Sequence, residues 1–173
     1  MKSTIWFTSD HHFFHGPDKV IKFCNRPFAD LDHMHEELIA RYKAKVQPND
    51  TVYFIGDIFL NNNQAAAKLI MQQLPGKKYL IKGNHDKMSD SAYLNIGFVS
   101  VVQECILKLA GHRIRISHYP RRPPWWIRLF KKNARLLRYM DRRPPDDGLL
   151  LLHGHTHDKE QFNAKRRTIH IGV

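Results

Sequence analysis

Seven side chains in this 173-residue chain are candidate metal ligands by type and position: Asp10, His12, Asp57, Asn84, His118, His155 and His157. They fall in five short motifs, Asp10-His11-His12, Gly56-Asp57, Gly83-Asn84-His85-Asp86, Ser117-His118-Tyr119-Pro120 and His153-Gly154-His155-Thr156-His157. Imidazole nitrogens with carboxylate or amide oxygens, and no thiolate, suit Mn, Fe, Zn, Ni or Co rather than a structural cysteine–zinc site. Mn is the first expectation, and Mg is also admissible. Seven ligands exceed one closed tetrahedral site and suit two ions that share a carboxylate. Two divalent ions roughly 3.5–4 Å apart hold a hydroxide between them and clamp a phosphoryl group through an in-line displacement. Asp10 and His12 are two residues apart, as are His155 and His157, so each pair points to one side of an extended chain. A lone Gly-Asp turn would mean little; five clusters in one small chain mean a metal centre.

The clusters need a scaffold that gathers them. Each closes an apolar run read as a strand: Thr4–Ser9, Thr51–Ile55, Lys78–Lys82, Arg113–Ser117 and Leu149–His153. Sites at the C-terminal ends of several strands mark one edge of a sheet, where open α/β sheets bind their ligands. A helix is expected over about Leu31–Val46, capped by Asp30, with Leu31, Met34, Leu38, Ile39 and Tyr42 on a helical period. Another runs over about Gln64–Leu74 and stops at Pro75-Gly76. Val99–Val102, Cys105–Leu109 and Thr168–Gly172 read as further strands, with a hairpin turn at Ala110-Gly111-His112. The order predicts α/β architecture: two packed mixed β-sheets flanked by helices, as one domain over residues 1–173.

In order, Asp-x-His, Gly-Asp, Gly-Asn-His-Asp, a lone His and Gly-His-Thr-His resemble the pattern of the calcineurin-like metallophosphoesterases. The opening Asp-x-His-Phe-x-His and the stretch Ile21-Lys22-Phe23-Cys24-Asn25-Arg26-Pro27-Phe28 are similar to the small single-domain bacterial and phage members. The triplet Asp10-His11-His12 also spells the signature of the unrelated DHH phosphoesterases, but the downstream clusters fit the calcineurin-like pattern. The resemblance implies an α/β/β/α sandwich and a metal-dependent phosphoric ester hydrolase. One ion would be held by Asp10, His12, Asp57 and His157, the other by Asp57, Asn84, His118 and His155, with Asp57 as the bridge. His85 would face the scissile phosphate with Asp86 behind it. Chemically, His85 can give a proton to a leaving alkoxide, and Asp86 can fix its tautomer. The expected reaction is phosphoester hydrolysis by a metal-bridging hydroxide, foremost of a nucleotide or nucleic-acid phosphodiester. The alternatives are a phosphomonoesterase or protein phosphatase, or a membrane-surface enzyme acting on a lipid-linked phosphate.

Arg26 is a candidate for holding a phosphate oxygen bidentately, against the commoner role of a brace in an Asn-Arg-Pro turn. His15 either meets the substrate phosphate or orders the first loop. His11 reads as a plain loop residue.

The net charge of +12 is concentrated between His112 and Pro145, which hold eleven basic residues and one acid, Asp141. Within it, Trp125–Met140 reads as a basic amphipathic helix inside an insertion at about 120–145 bracketed by prolines. Two partners fit the basic segment 113–143: a nucleotide or nucleic acid, or an anionic membrane surface touched peripherally. No run approaches the roughly 18 apolar residues of a membrane span. The start lacks a signal-peptide pattern, and Cys24 and Cys105 read as free thiols, so the chain is expected in the cytoplasm.

Overall fold

The computed structural model describes residues 2–22, 24–124, 138–157 and 161–173. Strand β1 (Ile5–Thr8) leads into α1 (Leu31–Lys45), β2 (Thr51–Phe54), α2 (Gln64–Gln73), β3 (Lys77–Ile81), α3 (Asp90–Asn95) and β4 (Phe98–Val102). The second half runs through β5 (Glu104–Leu109), β6 (His112–Ser117), β7 (Leu150–His153), β8 (Phe162–Asn163) and β9 (Thr168–His170). The first sheet is wholly parallel in the order β1-β2-β3-β4, and the second is mixed in the order β5-β6-β7-β9-β8. Strand-mixing is thus confined to one sheet.

Local chemistry sets the helix ends. The Asp30 carboxylate accepts from His33 N at 2.8 Å and starts α1. Asn63 caps α2 through Ala66 N, and Ser89 caps α3 through Ala92 N. Pro75 and Gly76 follow α2, where a helix cannot continue. Neither α3 nor the short π-helical turn Asp18–Lys22 was expected. Both are too short for a helical period to register.

Alternation along each strand sorts the core into two layers. Val52, Phe54 and Leu80 face the helices and pack with Ile39, Ile70, Met71 and Tyr93. Ile55 and Ile81 turn the other way and meet Ile116 and Leu152 between the sheets. Fully burying such a side chain stabilises the fold by about 1.5–3 kcal/mol, so both sheets are locked in register. The outer face of the second sheet carries Arg115, paired with Glu104 and Asp147. The expected helix Trp125–Met140 falls largely on residues 125–137, outside the described residues. Its described end, 138–140, is a turn with Tyr139 at φ 59°, so no helix runs through Met140. Cys24 and Cys105 are separate thiols. Among the described residues no helix is long and apolar enough to cross a membrane.

Candidate metal centre

The five motifs emerge from the C-terminal ends of β1, β2, β3, β6 and β7, so both sheets contribute to one edge. The loops are stitched together by their main chains. Asp10 N donates to Gly56 O and His12 N to Asp57 O, both at 3.0 Å, and Gly154 N donates to His118 O at 3.2 Å. A β-carbon on Gly83 would collide with Asp57 Oδ1, and one on Gly154 with Ser9 Oγ and Asp10 Oδ2. The motif glycines are therefore there for close approach.

Six side chains form two groups, Asp10/His12/His157 and Asp57/His118/His155, with ligand atoms inside each group within 4.8 Å of one another. The His155 N–H reaches both oxygens of Asp10, whereas Asp57 gives one oxygen to an N–H and turns the other to imidazoles. Asp10 Oδ2 accepts from Ser9 Oγ at 2.7 Å and His155 N at 3.1 Å, while Oδ1 lies 3.8 Å from both His12 Nε2 and His157 Nε2. Asp57 Oδ1 accepts from His85 N at 2.8 Å, while Oδ2 lies 3.3 Å from His118 Nε2 and 4.0 Å from His12 Nε2. Asp57 Oδ2 therefore stands between the groups. His118 places Nδ1 at the Ile55 carbonyl, 2.8 Å away, which turns Nε2 inward. Asn84 follows Gly83, and its Oδ1 is buried with no hydrogen-bond partner. An unpartnered buried acceptor, and lone pairs of Asp57 and His118 aimed at one another, are what a cation would satisfy.

The electrostatics agree. Burial alone would raise Asp10, yet the His12 hydrogen bond and the charges of His118 and His157 hold it below the usual carboxylate range. Burial would lower His118, but Asp57 and Asp10 push it up to about 9. Burial and the His118 charge bring His155 down to about 3. Asp57 and Asp10 thus favour a proton on His118, and a metal ion would displace it.

Backbone strain marks the same residues. Asp10, His12, Asp57, His155 and His157 all have φ between 50° and 70°, a region that non-glycine residues rarely occupy. Such conformations cost about 1–3 kcal/mol each and persist only where the surroundings enforce them.

Other expected site residues fall differently. His85 reaches the pocket mouth with its ring 5.5 Å from that of His12, and burial keeps its pKa below the ordinary value. Asp86 does not meet His85. Its Oδ2 accepts from Asp57 N and Gly83 N at 2.8 Å, and its Oδ1 from Ile58 N at 3.1 Å. The expected catalytic pairing gives way to a clamp between two ligand loops, because those main-chain N–H groups have no strand partner at the sheet edge. Arg26 is likewise a brace: its Nη atoms donate to the carbonyls of His11, Asp10 and Val173, so no fork is left for phosphate. His15 sits beside the pocket, Nδ1 to His12 Nδ1 at 3.2 Å. His11 is a core residue, stacked on Phe13 and bonded to Thr8 Oγ1 at 3.1 Å.

Residues passed over in the sequence also matter. Ser9 orients Asp10. Tyr119 and Tyr139 wall the pocket, their rings 5.2 Å and 5.5 Å from that of His155. Tyr119 could have been flagged as the neighbour of His118, whereas Tyr139 carries no signal in the sequence.

A two-sheet α/β sandwich with two ligand groups at the strand ends defines a metal-dependent phosphoric ester hydrolase. Residues 3–170 match the model of the calcineurin-like phosphoesterases, and the chain belongs to that family. It is 30% identical over 175 residues to an uncharacterized protein of Methanocaldococcus jannaschii, covering 98% of this chain and 81% of that one. It is also 30% identical over 189 residues to the Gene 66 protein of Mycobacterium phage D29, covering 99% and 88%. A crystal structure of a protein of unknown function from Aquifex aeolicus superposes with a TM-score of 0.68 at 27% identity, over 99% of this chain and 91% of the other.

Proposed function

We propose that the protein is a dinuclear phosphodiesterase acting on a nucleotide or nucleic-acid substrate, with Mn as its metal. Asp57 carries the reading, because Oδ2 lies 3.3 Å from His118 of one ligand group and 4.0 Å from His12 of the other. Asp10, His12, Asp57 and His157 would hold one ion, and Asp57, Asn84, His118 and His155 the other. When bound, the pair would supply a hydroxide at neutral pH and positive charge for the phosphoryl oxygens. The chain does the rest. His85 stands at the mouth as the proton donor to the leaving oxygen, and its main-chain N–H fixes Asp57 Oδ1. Asp86 holds the Asp57 and Asn84 loops at fixed separation, and His15 lines the side where the substrate phosphate enters. The test is reconstitution with Mn followed by assay on bis(4-nitrophenyl) phosphate and 4-nitrophenyl phosphate. Metal-dependent turnover of the diester, with the monoester slower, is expected. Turnover of the monoester alone would overturn the diesterase assignment.

A further inference from the structure

A cavity of about 410 Å³ opens next to the metal centre, and the two share a wall. That wall is Tyr119, whose ring lies 5.1 Å from that of His118 and 5.2 Å from that of His155 while also lining the cavity. The rest of the lining is Arg122, Arg142 and Arg143, the acids Glu104 and Asp141, and the uncharged Gln103, Pro144 and Pro145. The acids do little to balance the arginines there. Glu104 is engaged by Arg115 at 2.7 Å, and Asp141 is 81% exposed with a 3.9 Å contact to Arg142 Nε. Arg122 is occupied by the Arg143 carbonyl at 2.7 Å.

Arg143 is the unusual member. It is 7% exposed, its Nε donates to the Arg138 carbonyl at 3.3 Å, and no carboxylate among the described residues forms an ion pair with it. A cation taken out of water without a counterion is costly, and an incoming anion offsets that cost. Arg142 lies at the open side, where its Nη1 donates to Tyr119 Oη at 3.3 Å. A guanidinium tied to the shared wall is placed to face both the cavity and a substrate leaving the metal pocket.

We propose that this cavity is an anion subsite that receives a second phosphate of the substrate, with Arg143 at its base and Arg142 at its rim. The inference rests on the phosphodiesterase reading and narrows it. The substrate class is a phosphodiester with another phosphate one nucleotide away, as in a nucleic-acid strand or a 5′-phosphorylated dinucleotide. The Arg142–Tyr119 bond would then report on occupancy of both sites, because the same side chain walls both.

The test compares two thymidine dinucleotides that differ only by a 5′-phosphate, TpT and pTpT. Each is titrated calorimetrically into Mn-loaded protein in a His85→Ala background that slows turnover. About tenfold tighter binding of pTpT is expected, the equivalent of one added charge-assisted contact. Arg142→Gln and Arg143→Met should each bring the ratio towards one, while Arg143→Lys keeps part of it because the charge remains. Equal affinities for TpT and pTpT, or a ratio unchanged in both Arg142→Gln and Arg143→Met, would overturn the subsite. Should Arg143→Met not fold, Arg142→Gln decides. Loss of the hydrolase reading would look different: wild-type Mn-loaded protein would fail to hydrolyse bis(4-nitrophenyl) phosphate, whatever the titration gave.

Discussion

The metal pocket and the arginine-rich arm around residues 113–143 are equally conspicuous in charge, and the structure uses them in opposite ways. In the pocket, Asp57 Oδ2 faces imidazole nitrogens rather than main-chain donors, and Asn84 keeps its buried Oδ1 unpartnered. In the arm, most described charges are consumed. Arg121 donates to the carbonyls of Arg166, Pro145 and Leu149 and pairs with Asp147, while Arg115 pairs with Glu104 and Asp147. Charge density alone does not make a site. What matters is bonding capacity left over after folding at a buried position, and of Arg121 and Arg143, the buried arginines in the described part of the arm, it is Arg143 that has it.

The largest expected effect tests the pocket half of that contrast. Asp57→Asn removes the oxygen that stands between the two groups, so turnover should fall by on the order of a thousandfold or more. Metal analysis should show fewer than two ions per chain; a full complement with unchanged activity would break the contrast. His85→Ala should keep its metal but lose about a hundred- to thousandfold on poor leaving groups. The loss should shrink for nitrophenolate esters, and equal losses on both would remove His85 from the acid role.

Arg121→Ala sharpens the other half. Losing a buried guanidinium that ties three main-chain carbonyls to Asp147 should cost about 2–4 kcal/mol of stability, read as a lower Tm, with metal content per folded chain intact. A variant as stable as the wild type would show that the arm's arginines are not structural.

The smallest effect is a pH dependence of the metal-free protein. Burial holds His11 and His155 to about 3 and His15 to about 4, all below the usual histidine value near 6.5. Each therefore stabilises the fold fully above about pH 6.5 and progressively less as pH falls towards its folded value. His118, raised to about 9, contributes fully below 6.5 and does not offset this, although Asp86, raised by burial, works against it. The Tm of chelated protein should drop between pH 7 and pH 4.5, and a flat profile would contradict the buried-neutral assignment.

The convergence of the candidate ligands was legible because metal chemistry restricts residue types and strand ends restrict their positions. Asp10, His12, Asp57, His118, His155 and His157 all converge, and the Asp30 cap and the strand order follow from local chemistry and alternation. Three things were not legible. The left-handed backbone at five ligands is imposed by tertiary contacts and leaves no compositional trace, since none of the five is glycine. Asp86 and Arg26 looked like reactive groups because their types are, but unsatisfied main-chain N–H and C=O groups at the sheet edge claimed them first. Tyr139 approaches His155 from a turn near the end of the arm, a long-range placement that no periodicity encodes.

The central claim is that one carboxylate, Asp57, joins two metal sites. The most direct measurement is electron paramagnetic resonance of protein titrated with Mn. The account predicts two Mn per chain with a spin-coupled spectrum, and loss of the coupling in Asp57→Asn. Saturation at one Mn per chain, or two ions giving only the sum of isolated Mn signals, would contradict it.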